Sequence, residues 1–191
     1  MCEGNIHKDY EGLIQGLPNF PAVAAALIAR DTFKFTFVRH PVSRAVSAFK
    51  NIFLEKSNEA WTLHAKSIWH WGFSDSASAS ANFDVFLDYV TESLHQNAQL
   101  TDPHFRRQVD NTGINALQFD FIGRVEEMGV GLDRLSGIFG SNVEALRAQT
   151  ALRANRSDVD FSPNTDKIGR LQEIYRSDFE IFGYTNSVGA A

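Results

Sequence analysis

The sequence predicts an α/β fold in which helices flank a parallel sheet, and three observations support this. Every second residue of 33–38 is a phenylalanine, an alternation typical of a strand that buries one face. Residues 117–123 repeat the alternation with Leu, Phe and Phe. Apolar residues at helical spacing follow each strand, over 41–54 and 126–139. Strands that alternate with helices along a chain are expected to pair in parallel.

The remaining elements are predicted in chain order. Residues 18–30, "PNFPAVAAALIAR", are typical of a helix with Pro21 in its first turn. Residues 55–73 are aromatic but have no clear period, and the "SDSASASAN" that follows is typical of a flexible surface loop. Helical spacing returns in "FDVFLDYVTESLHQ", and Ser162-Pro163 introduces the last helix.

Length and composition fit one globular domain. The chain has 191 residues, of which 43% are hydrophobic and 21% are charged, enough to enclose a sizeable core. No linker or internal repeat is visible, so residues 1–191 are predicted to form a single domain. The net charge of -5 and the pI of about 5.6 argue against a general nucleic-acid-binding protein, which would be basic over a whole face.

Cysteine usage and targeting signals bear on the location of the protein. Cys2 is the only cysteine, so we expect no intrachain disulfide and no zinc site built on cysteines. The sequence shows no secretory signal and no apolar run of bilayer-spanning length. These features predict a cytoplasmic protein, and they leave open membrane association through a segment upstream of Met1.

The most informative stretch joins the first strand to the next helix, in residues 33–49, "FKFTFVRHPVSRAVSAF". Ligands of open α/β sheets bind beyond the carboxyl ends of the strands, where a helix beginning at Pro41 directs unpaired N–H groups toward an anion. Histidine is a poor helix cap, so a phosphate beside His40 could satisfy those groups instead. Arg39 offers a planar fork for phosphate oxygens. The alternative, from the residues alone, is an arginine paired with a carboxylate beside solvent-facing serines.

This stretch resembles the 3′-phosphate-binding segment of sulfotransferases that use 3′-phosphoadenosine 5′-phosphosulfate (PAPS), in particular the carbohydrate sulfotransferase family 2 type. That pattern is an aromatic strand, Val-Arg-Asp/Asn-Pro and then Arg-x-x-Ser-Ala-Tyr/Phe. The resemblance assigns Arg39 and Ser47 as the two ligands of the 3′-phosphate, and Ser43 in the first helical turn is predicted to join them. It also implies a P-loop-like sheet and PAPS as the sulfuryl donor, without a metal. His40 departs from the pattern, since an acidic residue or asparagine is more usual there.

The likeness extends from about residue 30 to 184. "DPHFRRQ" is similar to the family's His-aromatic-x-x-Gln segment, and "FDFIGRVEEM" to its Tyr-Asp-Phe-Ile-Gly-Arg-x-Glu segment. "ANRS" is similar to a short Asn-x-Ser loop, and "IYRSDFEIFGY" to the C-terminal helix. The family's first strand and its Pro-Lys-x-x-Thr-Ser loop for the 5′-phosphosulfate have no counterpart. We therefore expect a sheet without the usual first strand, and expect the missing loop to lie upstream of Met1.

Sulfuryl transfer moves an SO3 group from PAPS to an acceptor hydroxyl or amine, and a general base near neutral pH helps to remove the acceptor proton. Two histidines are candidates for this base. His104 lies in a matched segment, and His7 precedes the 3′-phosphate segment, where some relatives place a base. Each is equally well interpreted as a hydrogen-bonded or exposed histidine. His64 and His70 lack the spacing of metal ligands on one helix face, and no metal site is predicted.

The sequence therefore predicts a PAPS-dependent sulfotransferase that acts on a hydroxyl of a small-molecule or carbohydrate acceptor. The alternative is a catalytically inactive, truncated sulfotransferase-like protein that binds a nucleotide or a protein partner. A third interpretation is another phosphate-handling α/β protein, such as a kinase relative, and the absent lysine loop counts against it. The identity of the acceptor and the oligomeric state do not follow from the sequence.

Overall fold

The computed structural model describes residues 20–56, 59–143, 147 and 159–185. Its contacts divide the chain into two compact units. Among the described residues, the first unit holds 20–37, 114–143 and 147, and the second unit holds 38–56, 59–113 and 159–185. The single domain expected over residues 1–191 stays a prediction.

The regular elements of the described residues are two short strands and a larger set of helices. In chain order they are α1 (Phe20–Ile28), β1 (Phe35–Val38), α2 (Pro41–Ala48), α3 (Glu59–His70), α4 (Ala79–Asn97), α5 (Gln108–Thr112), β2 (Phe121–Arg124), α6 (Met128–Phe139), α7 (Thr165–Ile174) and α8 (Arg176–Phe182). The two strands pair in parallel in a small sheet flanked by helices, which confirms the mixed α/β class. The P-loop-like arrangement of the sheet stays a prediction.

Both strands are present where the alternation predicts them, but both begin later than expected. The backbone carbonyl of Lys34 accepts hydrogen bonds from the N–H groups of Asp120 and Phe121, at 2.8 and 3.2 Å. The N–H of Lys34 donates to the Asp120 carboxylate at 2.8 Å. Because a side chain takes the place of a backbone partner at this point, regular pairing begins only with β1 at Phe35 and β2 at Phe121.

The first unit has a small core in which a phenylalanine ring packs directly on two glycines. Its buried residues are Leu132, Leu135 and Val143, with Phe33, Phe37, Phe121 and Met128 packed against them. A Cβ atom added to Gly123 would lie 2.4 Å from the Phe37 ring, and one added to Gly131 would lie 2.5 Å from it. The absence of a side chain at these two positions lets the β1 ring reach both β2 and α6.

The second unit has a core rich in aromatic residues. Its largest fully buried aromatic side chains are Phe49, Phe53, Phe83, Phe86, Phe105 and Tyr175. The centroids of the Phe49 and Phe83 rings are 4.8 Å apart, in an edge-to-face arrangement. The helix predicted over 41–54 is present, but after Ala48 it continues as a π-helical segment, Phe49–Leu54.

Three predictions about local structure are corrected. Residues 55–73 contain a regular helix, α3, rather than irregular chain. The polar tract "SDSASASAN" contains the start of α4, because the Ser78 hydroxyl caps that helix by accepting from the N–H of Ala81 at 3.2 Å. The last helix is interrupted at the buried Tyr175, which separates α7 from α8. None of the helices in the described ranges is both long and apolar enough to cross a membrane.

Candidate functional site

The junction between β1 and α2 has the geometry that the sequence predicts. His40 is the residue at the helix cap, and its side chain makes no capping hydrogen bond. Pro41 has no N–H, and the N–H of Arg44 already donates to the His40 carbonyl at 2.9 Å. The N–H groups of Val42 and Ser43 therefore precede the first intrahelical bond and carry the positive end of the helix dipole.

Arg39 stands between the strand and this helix, and its side chain is half-buried. Among the described residues, no carboxylate pairs with the Arg39 guanidinium and no acceptor receives a hydrogen bond from it. Its charge lies close enough to Arg44 to help lower the pKa of that residue, although burial is the larger cause. The junction is therefore cationic, and the described residues give no support to an internal ion pair at Arg39.

The backbone of Arg39 is fixed by the side chain of Gln108. The Gln108 carboxamide oxygen accepts from the Arg39 N–H at 2.8 Å, and its nitrogen donates to the Arg39 carbonyl at 2.7 Å. Gln108 is only 6% exposed, so water competes poorly for these bonds. The paired bonds connect the predicted phosphate segment to the "DPHFRRQ" segment.

That second segment is itself held from several sides by polar side chains. The Arg44 guanidinium donates to the carbonyl of Arg106 at 2.6 Å and also to the carbonyl of Pro103. The Tyr175 hydroxyl donates to the carbonyl of Phe105 at 2.7 Å. Since these carbonyls belong to irregular backbone, the side chains supply the partners that a helix or sheet would otherwise provide.

Asp178 completes this arrangement at the start of α5. Its carboxylate oxygens accept from the N–H groups of Gln108 at 2.8 Å and Val109 at 3.0 Å, so a residue of α8 caps a helix some 70 positions earlier in the chain. Burial raises the pKa of Asp178, and the two backbone donors and Arg44 offset this only in part. Burial also raises the pKa of Tyr175, which keeps its hydroxyl protonated as a donor.

His104 lies at the opposite end of the same segment, with its side chain 50% exposed. Its Nδ1 donates to the Asp102 carboxylate at 2.7 Å, and its backbone N–H donates to the same oxygen at 2.8 Å. An ionised carboxylate only accepts, so the neutral ring carries its hydrogen on Nδ1 and leaves the Nε2 lone pair available. A histidine in this state can accept a proton from a hydroxyl placed beside Nε2.

The predicted site residues are only partly brought together. Arg39, Ser43 and Ser47 share one junction, where the two half-buried serines are one helical turn apart on α2. His104 lies four residues before Gln108, whose side chain binds the Arg39 backbone. His7 lies outside the described residues. In the described part of the chain, no group of three His, Cys, Asp or Glu side chains could hold a metal ion.

Sequence reasoning missed the residues that position this site. Asp102 left a signal, because an aspartate two residues before His104 is typical of a turn in which the side chain accepts that N–H. Gln108 was part of a recognised segment, but nothing local indicated its contact with Arg39. Asp178 left no local signal, since its partners are 69 and 70 residues away.

The fold and the site define a mixed α/β protein in which a cationic strand-to-helix junction is joined to a histidine–aspartate pair. The chain belongs to the sulfotransferase family, whose model matches residues 2–185. This match confirms the resemblance that the motifs indicated.

Named relatives lie within the carbohydrate sulfotransferases. Carbohydrate sulfotransferase 11 of Rattus norvegicus is 24% identical over 164 residues, which are 80% of this chain and 47% of that protein. Carbohydrate sulfotransferase 14 of Danio rerio is 22% identical over 194 residues, which are 94% of this chain and 51% of that protein. The chain thus spans about half the length of these curated relatives. No solved structure matches the chain at a significant level.

Proposed function

We propose that this protein transfers a sulfuryl group from PAPS to a hydroxyl of a carbohydrate acceptor. The family supplies the reaction class and implies the donor, and the names of the two relatives indicate the acceptor class. The proposal depends chiefly on the hydrogen bonding of Arg39. Its backbone is held by Gln108, while its guanidinium has no partner among the described residues.

The donor end of the site is assigned to the 3′-phosphate of PAPS. A dianion there would accept hydrogen bonds from the Arg39 guanidinium, from the hydroxyls of Ser43 and Ser47 and from the N–H groups at the start of α2. Arg44 does not serve as a ligand in this proposal, because its guanidinium is already used by two backbone carbonyls. Arg44 instead adds positive charge behind the phosphate.

The acceptor end is assigned to His104. Nε2 takes the proton of the acceptor hydroxyl, the oxygen forms a bond to sulfur, and the bond between sulfur and the bridging phosphate oxygen breaks. The products are the sulfate ester, protonated His104 and adenosine 3′,5′-bisphosphate, so atoms and charge balance. Asp102 stabilises the charge that develops on His104, because its carboxylate already accepts from Nδ1.

Titration calorimetry with adenosine 3′,5′-bisphosphate tests the donor assignment. We expect Arg39→Ala to weaken binding by about 1.5–3 kcal/mol, roughly 10- to 150-fold, as for lost hydrogen bonds to a charged group. Arg176→Ala is the matched control, because the Arg176 side chain is 68% exposed and its guanidinium lies 4.0 Å from the Glu173 carboxylate. Equal affinities of Arg39→Ala and the unchanged chain would overturn the assignment.

Transfer of radiolabelled sulfate from PAPS to a panel of polysaccharides tests the reaction. We expect His104→Ala to lower kcat by about 10²- to 10⁴-fold without weakening binding of the bisphosphate product. His7→Ala is the necessary comparison, because His7 is the other candidate base. If only His7→Ala lowers the rate, then His7 rather than His104 is the base.

A further inference from the structure

The Asp102 carboxylate is shared by two imidazole rings. Its Oδ1 accepts from His104 Nδ1 at 2.7 Å, and its Oδ2 accepts from His64 Nε2 at 2.9 Å. Both ring nitrogens must carry hydrogen, because an ionised carboxylate has nothing to donate. Burial raises the pKa of Asp102, but the hydrogen bonds from His104 and His64 outweigh this and leave the pKa well below its ordinary value.

His64 makes a second hydrogen bond on its other side. Its Nδ1 lies 2.9 Å from the Tyr89 hydroxyl. Since Nε2 is the donor toward Asp102, Nδ1 of the neutral ring is an acceptor and Tyr89 donates to it. Burial raises the pKa of Tyr89, which keeps that hydroxyl protonated. All of the donors therefore point in one direction, from Tyr89 through His64 to Asp102.

The two middle members of this chain of hydrogen bonds are shielded from solvent, whereas its His104 end is half exposed. The side chains of His64 and Asp102 are 12% and 11% exposed, whereas that of His104 is 50% exposed. The His64 ring is fixed by aromatic contacts, with its centroid 5.1 Å from that of Phe105 and 5.8 Å from that of Tyr89. These contacts hold the His64 ring, and the exposed end of the chain terminates at Nε2 of His104.

From this geometry we propose that His64 and Tyr89 are positioning residues for His104. By holding Oδ2, they orient the Asp102 carboxylate so that Oδ1 faces Nδ1 of His104. That contact selects the tautomer of His104 with a free Nε2 lone pair. The inference rests on the proposed function, in which His104 accepts the acceptor proton. Neither His64 nor Tyr89 touches a reactant.

Long-range ¹H–¹⁵N correlation spectra of the ¹⁵N-labelled 191-residue chain test the inference without any substrate. At mildly alkaline pH, we expect His104 to show a protonated Nδ1 and an unprotonated Nε2. His64→Phe keeps the ring packing but removes the donor to Oδ2, so His104 should shift toward the Nε2–H tautomer. His64→Gln keeps a donor for Asp102 and should retain the original tautomer. His95→Phe, a change at an exposed histidine of α4, should have no effect.

Tyr89→Phe gives a second test if His64→Phe does not fold. It removes only the hydroxyl, so the Nδ1 signal of His64 should move and the Nδ1–H population of His104 should fall. An unchanged His104 tautomer in every variant that folds would overturn the inference, as would an Nε2–H tautomer in the unchanged chain.

Two further readouts separate this inference from the proposed function. In the transfer assay, we expect His64→Phe to lower kcat and leave KM and bisphosphate affinity unchanged. If bisphosphate binding is insensitive to Arg39→Ala while the tautomer follows His64, then the donor assignment fails and the positioning of His104 stands. If His64→Phe changes the tautomer but not kcat, then the positioning of His104 stands and the assignment of His104 as the base in the proposed function fails.

Discussion

The side chain of Gln108 occupies both hydrogen-bonding groups of the Arg39 backbone, at 2.8 Å to the N–H and 2.7 Å to the carbonyl. Arg39 lies between a strand and a helix, where its own backbone groups have no place in either hydrogen-bonding pattern. The direction in which the Arg39 side chain leaves the backbone therefore depends on a residue 69 positions away.

Replacing Gln108 should weaken nucleotide binding although Gln108 contacts no phosphate in the proposed complex. We expect Gln108→Leu to lower the affinity for adenosine 3′,5′-bisphosphate by roughly 5- to 30-fold, about 1–2 kcal/mol, because Arg39 loses its fixed backbone. Calorimetry measures this, and Gln96→Leu on the exposed face of α4 is the control. An affinity equal to that of the unchanged chain would mean that Arg39 is held by other contacts.

Arg44 should contribute chiefly to stability. Arg44→Ala leaves the carbonyls of Pro103 and Arg106 without their charged donor, so we expect the free energy of unfolding to fall by about 3 kcal/mol. Arg44→Lys should recover only part of this, since an ammonium lacks the planar fork. Denaturant unfolding measures the change. The exposed pair of Arg170 and Asp88 is the comparison, and Arg170→Ala should cost less than about 1 kcal/mol.

Asp102 should make the folded state sensitive to acid. Its pKa is lower in the folded chain than its ordinary value of 3.8, so its ionised form stabilises the fold above about that pH. This stabilisation is lost as the pH falls below 3.8 toward the folded-state pKa. The unfolding free energy of Asp102→Asn should therefore approach that of the unchanged chain as the pH is lowered. A difference that is constant from neutral to strongly acidic pH would contradict this.

Asp178 should show the opposite dependence. Burial raises its pKa above 3.8 in the folded chain, so the folded state binds the proton more tightly than the unfolded state. The contribution of Asp178 to stability is then largest at low pH and falls as the pH rises from 3.8 through the folded-state pKa. Across this range, the unfolding free energy of Asp178→Asn should fall relative to that of the unchanged chain as the pH is lowered. The reverse trend would mean that the backbone donors outweigh burial.

The glycines around Phe37 offer a test of packing in the first unit. A methyl group at Gly131 would lie 2.5 Å from the Phe37 ring, so Gly131→Ala should destabilise the fold by about 1–3 kcal/mol. Gly137→Ala in the same helix meets no atom within 4 Å and should be neutral or stabilising, by up to about 1 kcal/mol. Thermal unfolding of the pair distinguishes crowding from helix propensity. Equal effects would exclude crowding at Phe37.

The sequence predicts the elements whose pattern is strong and misses those whose pattern is weak. The alternation before Arg39 locates β1, and the apolar spacing after it locates α2. The helix α3 was missed because its apolar face is poorly defined. Only Ala60 and Ile68 are buried there, while Leu63 is 75% exposed. The spacing of apolar residues in the sequence cannot identify such a helix, because tertiary packing sets its position.

The sequence also predicts only some of the residues of the candidate site. Arg39, Ser43, Ser47 and His104 could be identified because short motifs carry them. Apart from Asp102, which lies two residues before His104, the residues that hold them in place could not, because they act across long separations in the chain. His64 is 38 residues from Asp102, and Asp178 is 70 residues from Gln108. Contacts of this kind follow from the folded arrangement rather than from local spacing.

The stretch from Asp102 to Gln108 has one further consequence. One end of it orients the histidine assigned to the acceptor, and the other end orients the arginine assigned to the nucleotide. Because both ends belong to one stretch, we expect the acceptor and the nucleotide to be heterotropically linked when both bind. Such linkage is reciprocal: the factor by which an acceptor tightens the bisphosphate is the factor by which the bisphosphate tightens the acceptor.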